Sequence, residues 1–328
     1  MKDPKTTITQ PTQASVQTEP RPDARARRQQ RHPPPPQIYS QSPLIYQQDK
    51  NILHTNKANV KIAILINGHL RMFEKTYKSF VANVLGGRKN IANVFIHTWD
   101  TLGAPKVIDR KHDAGYDIIP TSSKSDLIES IYSPKTCVID NQEEVKKSLI
   151  DYTNGAKLST SENKNFYGAN LIDYCSMLYS MNQAQSFMDE YEHINNMRFD
   201  IVIKLRPDAL SVQNLDFMQY QYTDDIVYTP NIATFYFNGM NDQMAIGTSN
   251  VMKRYMSLYT RIIPYLNGRV INPLRPETLM RYHLTNNNTR VITIPWRYYV
   301  LRCAGGFLYP RGPNMDYSRD QKMIAPYL

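Results

Sequence analysis

The sequence predicts an α/β fold, with a mostly parallel sheet flanked by helices in a single domain. Two continuous apolar runs, at residues 61–66 and 201–203, are rich in β-branched residues and typical of strands buried on both faces. Segments with helical spacing alternate with such runs, which is the pattern of α/β proteins. With 328 residues and no internal repeat, the chain is long enough to bury a sizeable core.

The N-terminal segment has a different composition from the rest of the chain. The first 50 residues hold nine of the 21 prolines and carry +4 of the net charge of +10. They contain almost no large apolar residues before Ile38, too few to form a core. We therefore expect residues 1–58 to be a disordered basic tail and residues 59–328 to be the folded domain. Four arginines in the tail form a small basic cluster: Arg25, Arg27, Arg28 and Arg31.

Charge and cysteine usage limit the classes of function. The modestly basic domain suits an anionic ligand such as a nucleotide, and also non-specific contact with nucleic acid. The three cysteines are far apart and match no metal-ligand spacing, which favours a reducing compartment over a disulfide framework. The sequence has no apolar run of 18 residues, so we expect no membrane span. Its first residues include no apolar stretch, so we expect no signal peptide.

The first predicted strand, 61–66, leads through a glycine-containing turn into a helix at 73–84. In an open α/β sheet this is the usual place for a nucleotide. Gly68 would let a ligand approach the backbone closely, and Asn67 and Arg71 stand on either side of it. The GxGxxG fingerprint of dinucleotide-binding proteins is absent.

The next predicted strand, 92–96, is followed by His97 and Trp99. Trp99 would either stack on a base or sugar or pack beneath a loop. His97 suits a ligand-binding histidine and a structural one equally well.

The remaining elements follow the same alternation. We expect helices at 125–132, 142–152, 170–191, 249–259 and 276–284, short strands at 138–140, 225–229 and 291–294, a polar loop at 157–165 and an aromatic segment at 235–237.

The strand at 201–203 ends abruptly at Pro207, which cannot donate to a ladder. This places Arg206 and Asp208 at the carboxyl edge of the sheet. The Asp208 carboxylate suits Mg2+ or Mn2+, and the Arg206 guanidinium suits phosphate oxygens or a neighbouring carboxylate. A solvated ion pair at a turn is the alternative interpretation.

Asp242 precedes a short apolar stretch and a predicted helix. Its carboxylate would act as a general base, bind sugar hydroxyls, or simply cap the turn. Glu277 follows Pro276 at the start of a predicted helix, where an acid suits the helix N-terminus, so we expect a structural role for it.

Four motifs in this order resemble GT-A-type glycosyltransferases of bacterial surface-polysaccharide loci and large DNA viruses. They are residues 64–73 (ILINGHLRMF), 94–99 (VFIHTW), 199–210 (FDIVIKLRPDAL) and 241–247 (NDQMAIG). The resemblance covers about residues 60–300. It implies a GT-A-like sheet and a nucleotide-sugar donor that transfers its sugar to a glycan or protein-linked hydroxyl.

The resemblance also assigns roles to residues. Arg206-Pro207-Asp208 stands where the family has its DxD motif, so Asp208 would hold Mn2+ or Mg2+, with Arg206 in place of the first acid. Asn67, Gly68, Arg71, His97, Trp99 and Gln243 would contact the nucleotide-sugar, and Asp242 would act on the acceptor side. A cytoplasmic location is expected, in the host cytoplasm for a viral protein.

Three other functions stay open at this point. The missing first acid is also typical of a degenerate protein that binds nucleotide-sugars or glycans without turnover. The basic tail suits a virion-associated or nucleic-acid-associated protein, although no RNA- or DNA-binding motif supports it. A nucleotidyltransferase would need more clustered carboxylates than the one placed clearly here.

Overall fold

The structure is a computed structural model that describes residues 60–87, 92–103, 119–158, 171–232, 239–270, 275–301 and 307–308, with Lys322 and Ala325. The predicted tail at 1–58, the aromatic segment at 235–237 and positions 159–165 of the predicted loop lie outside the described residues.

A mixed sheet of seven strands lies at the centre of the domain. Its strands are β1 (Ile62–Asn67), β2 (Ala92–Trp99), β3 (Thr136–Asp140), β4 (Ile201–Leu205), β6 (Ile226–Pro230), β7 (Ala245–Gly247) and β8 (Arg290–Ile294). Their order is β3-β2-β1-β4-β7-β6-β8, and all neighbours are parallel except β7, which is antiparallel to both β4 and β6. This architecture confirms the predicted fold class.

A second, three-stranded antiparallel sheet follows the β4 turn. It consists of β5 (Ala209–Ser211), β9 (Tyr298–Leu301) and β10 (Phe307–Leu308), in the order β10-β9-β5. The predicted elements do not include this sheet.

Helices cover both faces of the large sheet. They are α1 (Phe73–Asn83), α2 (Ser125–Tyr132), α3 (Gln142–Asn154), α4 (Leu171–Ile194), α5 (Ser249–Met256), α6 (Ile262–Asn267) and α7 (Pro276–Asn286). All six predicted helices are present; the one expected at 249–259 changes to a 3-10 turn at Ser257–Arg261.

The core has two layers because successive side chains of a strand point to opposite faces. In β1, Ile62, Ile64 and Ile66 pack with α1 and the second sheet, whereas Ala63 and Leu65 pack with α4 and α5. All six residues of β1 are buried, as the continuous apolar run predicted.

The boundary of β2 differs from the prediction. The strand continues to Trp99, so His97 and Trp99 lie inside it and do not follow its end. Parallel pairing explains the extension, because β3 continues alongside β2 and matches His97 to Val138 and Trp99 to Asp140. Both side chains therefore belong to the buried layer beneath α4.

The carboxyl ends of β1, β2 and β4 meet at one edge of the sheet. The register pairs Asn67 with His97 and Ile66 with Leu205. The turns that follow β1 and β4 are therefore neighbours, although more than 100 residues of sequence separate them.

Candidate functional site

The turn after β1 has a fixed backbone that leaves open space beside it. The N–H of Gly68 donates to the carbonyl of His97 (3.1 Å) and to Ser180 Oγ (2.8 Å). Gly68 has φ +87°, and a Cβ placed on it would meet no atom of the described residues within 4 Å. Three residues later Arg71 also adopts a positive φ, +45°, and its N–H donates to the Leu102 carbonyl at 2.6 Å. The turn thus presents backbone to a space that a ligand can enter.

Asn67 ends β1 with a buried acceptor that lacks a partner. The side chain is only 7% exposed, and its Oδ1 accepts no hydrogen bond from any residue that the structure describes. Such an atom costs about 1–3 kcal/mol when it stays unpaired. It is suited to accept a hydrogen bond from a bound ligand.

The turn after β4 holds a buried carboxylate between two arginines. Asp208 is 1% exposed. Its Oδ1 accepts from Arg206 Nε at 2.5 Å, and its Oδ2 accepts from Arg206 Nη2 at 3.0 Å and from Arg71 Nη1 at 2.8 Å. The three predicted residues therefore meet, and both turns contribute to the cluster. We call Arg71, Arg206 and Asp208 the arginine clamp.

Within the clamp, the Asp208 carboxylate favours the charged form of the Arg206 guanidinium. Burial alone would lower the pKa of Arg206, but the adjacent Asp208 carboxylate outweighs burial and raises it. The arginine side chains are more accessible than that of the acid: they are 17% exposed for Arg71 and 24% for Arg206, against 2% for Asp208. With two guanidinium groups and one carboxylate, the clamp carries one net positive charge.

His69 belongs to the same turn and was not assigned a role from the sequence. Its Nδ1 lies 3.0 Å from the carbonyl of Thr101, so this nitrogen carries the proton and Nε2 is an acceptor. Burial, followed by the positive charge of Arg71, lowers the pKa of His69 to about 4. The ring is neutral at pH 7 beside the clamp. In the sequence, the only sign that His69 belongs to the site is its position in the turn after a buried strand.

His97 is part of a buried hydrogen-bond chain. Its Nε2 lies 3.0 Å from Asp140 Oδ2 and its Nδ1 lies 2.8 Å from Ser180 Oγ, while Ser180 accepts from the Gly68 N–H. Burial lowers the pKa of His97 against the opposing effect of Asp140. The imidazole is fully buried. It has no surface for a ligand and instead supports the turn at Gly68.

Trp99 is also a supporting residue in this structure. It is 2% exposed, with its ring stacked on Tyr179 at 6.2 Å between centroids and edge-on to His97 at 5.0 Å. Of the two interpretations open from the sequence, stacking on a base or packing beneath a loop, the geometry favours packing.

Asn241 organises the loop that carries the second predicted group. Its Nδ2 donates to the Ile232 carbonyl (2.8 Å) and to Tyr298 Oη (2.7 Å), and its Oδ1 accepts from the N–H groups of Gln243 (2.9 Å) and Met244 (3.0 Å). Tyr298 in turn donates to Gln243 Oε1 at 2.9 Å. The side chain of Gln243 is thus held by the second sheet.

Lys204 connects this loop to the clamp. Its Nζ donates to the backbone carbonyls of Asp242 (2.6 Å) and Gln243 (3.0 Å), and burial lowers its pKa to about 8. Lys204 and Arg206 each interact electrostatically with the carboxylates of both Asp242 and Asp208. The donor-side and acceptor-side acids predicted from the sequence therefore lie around the same two cations.

Glu277 provides a second carboxyl group next to Asp242. The N–H of Met240 donates to the Glu277 carbonyl at 3.2 Å, which joins the start of α7 to the loop. Burial, then the charge of Asp242, raises the pKa of Glu277 to about 7. Glu277 occupies the first turn of α7 as predicted, but it also interacts electrostatically with Asp242, and we call these two residues the acid pair. A carboxyl group with this pKa can exchange a proton near neutral pH.

The contacts at Asp208 do not suit the Mn2+ or Mg2+ that the resemblance implies. Both carboxylate oxygens accept from guanidinium groups, and the position of the first acid is Arg206. Within the described ranges no three His, Cys, Asp or Glu side chains are grouped as metal ligands. Mg2+ needs several oxygen ligands in near-octahedral geometry, and the clamp offers it two neighbouring positive charges.

A separate depression of about 450 Å³ lies at the amino-terminal end of β4, away from this edge. Lys253 lines it and forms ion pairs with two other lining residues, Asp189 (2.8 Å) and Glu192 (3.1 Å). Glu192 also accepts from the N–H of Phe199 at 2.8 Å. These contacts join α4 to α5 and β4, and we interpret them as structural.

Comparison with solved structures finds glycosyltransferases at low similarity. The chain is similar to mouse xyloside xylosyltransferase 1 with a TM-score of 0.36 and 10% identity, over 71% of this chain and 84% of that one. It is similar to the glycosyltransferase GlyE of Streptococcus pneumoniae with a TM-score of 0.38 and 10% identity, over 71% and 45%. For an active-site mutant of LgtC the TM-score is 0.39 at 10% identity, over 71% and 72%.

No protein-family model and no curated protein matches the sequence. Structural similarity this weak decides neither substrate nor mechanism. None of the helices within the described residues has the length and apolar character needed to cross a bilayer.

Proposed function

We propose that the chain is a glycosyltransferase that moves a sugar from a nucleotide-sugar donor to a hydroxyl group of a glycan or a protein-linked acceptor. The main support is the meeting of two groups at the carboxyl edge of the sheet: the cationic arginine clamp and the acid pair of Asp242 and Glu277. Lys204 and Arg206 each interact electrostatically with an acid of either group, Asp208 of the clamp and Asp242 of the acid pair. Open α/β sheets bind ligands at this edge.

The donor side would be formed by the turn after β1 and by the clamp. The nucleotide would lie beside Gly68, where an added Cβ meets no described atom within 4 Å, and Asn67 Oδ1 would accept a hydrogen bond from it. Arg71 and Arg206 would face the phosphates. His97 and Trp99 would hold the turn in place beneath the ligand, since both are buried.

The transfer breaks the bond between the anomeric carbon and the terminal phosphate oxygen. The departing nucleotide takes the electron pair, and guanidinium groups at this position would stabilise the charge that develops on it. The acceptor oxygen forms the new bond to the anomeric carbon and loses its proton. Asp242 is the proposed base for that proton in an inverting reaction, and it would orient the sugar in a retaining one.

Glu277 and Gln243 would complete the acceptor side. Protonation of Glu277, whose pKa is raised to about 7, would reduce the negative charge beside Asp242. Gln243, fixed by Tyr298, would donate to or accept from sugar hydroxyls.

The test measures nucleotide release and product formation with UDP-, GDP-, CMP- and dTDP-sugars and a panel of sugar acceptors. We expect turnover with one nucleotide class. Asp242→Asn should lower kcat by roughly 100-fold or more while nucleotide binding persists, because general-base catalysis contributes about 10²–10⁴. Asp151→Asn, at an exposed position on α3, is the matched control and should keep full activity.

Two results would count against this function. Binding of a nucleotide-sugar without turnover for any acceptor would favour the degenerate binding protein. Failure of every nucleotide to bind, together with salt-sensitive binding of DNA or RNA that depends on residues 1–50, would favour the nucleic-acid-associated protein.

A further inference from the structure

We infer that this chain holds the diphosphate of its donor with the guanidinium groups of Arg71 and Arg206, and that it does so without a divalent cation. The inference rests on the proposed function, because it concerns the same ligand. It departs from the resemblance, which implies Mn2+ or Mg2+ at Asp208.

The geometry assigns Asp208 a positioning role. Among the described residues, Arg71 donates one hydrogen bond to its two oxygens and Arg206 donates two, at 2.5–3.0 Å. The carboxylate is nearly inaccessible, whereas both arginine side chains reach the surface. Asp208 therefore holds the two guanidinium groups from behind and directs them toward the ligand.

The two arginines are suited to a diphosphate by their number and by their place. Each guanidinium carries five N–H donors in a planar fork, and Asp208 accepts from one nitrogen of Arg71 and two of Arg206. They come from the turns of adjacent parallel strands, β1 and β4. The clamp has one net positive charge, and Lys204 lies beside it. Phosphate oxygens are the ligands that such a pair of forks recognises best.

A divalent cation would not be favoured at the same place. A Mg2+ ion about 2.1 Å from a carboxylate oxygen of Asp208 would compete with the guanidinium groups that donate to both oxygens. Their positive charges would lie within a few ångströms of the ion. The residue two positions earlier, which would supply a second carboxylate in a DxD motif, is itself one of these arginines.

The first experiment compares binding of UDP, GDP, CDP and dTDP to the full chain in excess EDTA and in Mn2+, by calorimetric titration. We expect one nucleoside diphosphate to bind with an affinity that changes less than threefold between the two conditions. Binding that appears in Mn2+ and disappears in EDTA would overturn the inference and leave the proposed function standing. Absence of binding in both conditions would overturn both.

Variants then identify the groups that bind the phosphates. In EDTA, Arg71→Gln and Arg206→Gln should each weaken binding at least tenfold. Arg290→Gln is the matched control, because Arg290 also pairs with a carboxylate, Asp225 at 2.8 Å, but lies at the start of β8. Unchanged affinity in both clamp variants would overturn the inference.

Asp208→Asn separates a positioning residue from a metal ligand. The variant loses part of the positioning of the two guanidinium groups, but it also loses the negative charge that competes with the phosphates, so it should still bind the diphosphate in EDTA. If Asp208 were a metal ligand, Asp208→Asn would bind the diphosphate poorly and high Mn2+ would partly restore binding. That result would contradict the inference. If Asp208→Asn does not fold, the EDTA comparison on the wild type and the two arginine variants still decides.

Discussion

Substitution of Gly68 by alanine separates the backbone role of this residue from its role as a ligand contact. Gly68 has φ +87°, and within the part of the chain that the structure describes a Cβ there would meet no atom within 4 Å. The left-handed region costs an alanine about 1–2 kcal/mol. Alanine also restricts the unfolded chain more than glycine does, which offsets about 0.4–1 kcal/mol of this cost. The free energy of unfolding should therefore fall by about 1 kcal/mol. No steric term from the protein adds to it.

Gly87 offers a matched control. It has φ +78°, a Cβ there would also meet nothing within 4 Å, and it lies in the exposed turn after α1. Gly87→Ala should therefore lose about the same stability, about 1 kcal/mol. Chemical denaturation of the two variants measures this, and similar losses are expected.

Ligand affinity should differ between the two variants. The new methyl group of Gly68→Ala would occupy the space into which the nucleotide is proposed to enter, and we expect its affinity to fall at least tenfold, a loss of about 1.4 kcal/mol. Gly87→Ala should bind like the wild type. Equal nucleotide affinity in the two variants, measured by titration at a temperature where both are folded, would refute the placement of the ligand against Gly68.

Two further predictions concern the acid pair and the loop beside it. Because the pKa of Glu277 is raised from 4.5 to about 7, its protonated form stabilises the fold, fully below about pH 4.5 and progressively less as the pH rises through 7. The unfolding free energy of Glu277→Gln should therefore equal that of the wild type near pH 4. Near pH 8 it should be higher by about 1–2 kcal/mol, a value reduced to allow for solvent screening. A difference that does not change with pH would contradict this. Asn241→Ala removes four hydrogen bonds, three of them buried, and should cost about 2–4 kcal/mol in urea denaturation. Asn250→Ala, which removes a surface bond to Asp224, should cost less than about 1 kcal/mol. Equal losses would show that the Asn241 contacts do not hold the loop.

Local patterns were sufficient for most of the fold. The apolar runs at β1 and β4 are buried along their whole length, and the helices begin and end near the predicted positions. Strand β7 was not predicted, because three residues, Ala245–Gly247, are too few to show a period. Its antiparallel place between β4 and β6 depends on pairing with strands that are distant in sequence.

The residues around the site were predicted in part. Arg71, Arg206 and Asp208 were identified because each follows the end of an apolar strand, and the structure brings them into contact. The inward orientation of His97 was not predictable, since its partners Asp140 and Ser180 are 43 and 83 residues away. Lys204 was overlooked because it lies within a buried strand, where the sequence shows no sign of the two carbonyls it binds.

The class of fold, the strands whose ends carry polar groups and the chemistry available there follow from residues close together in the chain, so they can be read from local patterns. Which of those groups meet depends on contacts between distant segments. The contact of Arg71 with Asp208, which spans 137 residues, sets both arginines around one carboxylate. The proximity of Asp242 to Glu277 raises the pKa of an acid that looks purely structural in sequence. Hydrogen bonds and charges act over a few ångströms, so only the packing of distant segments could establish these effects.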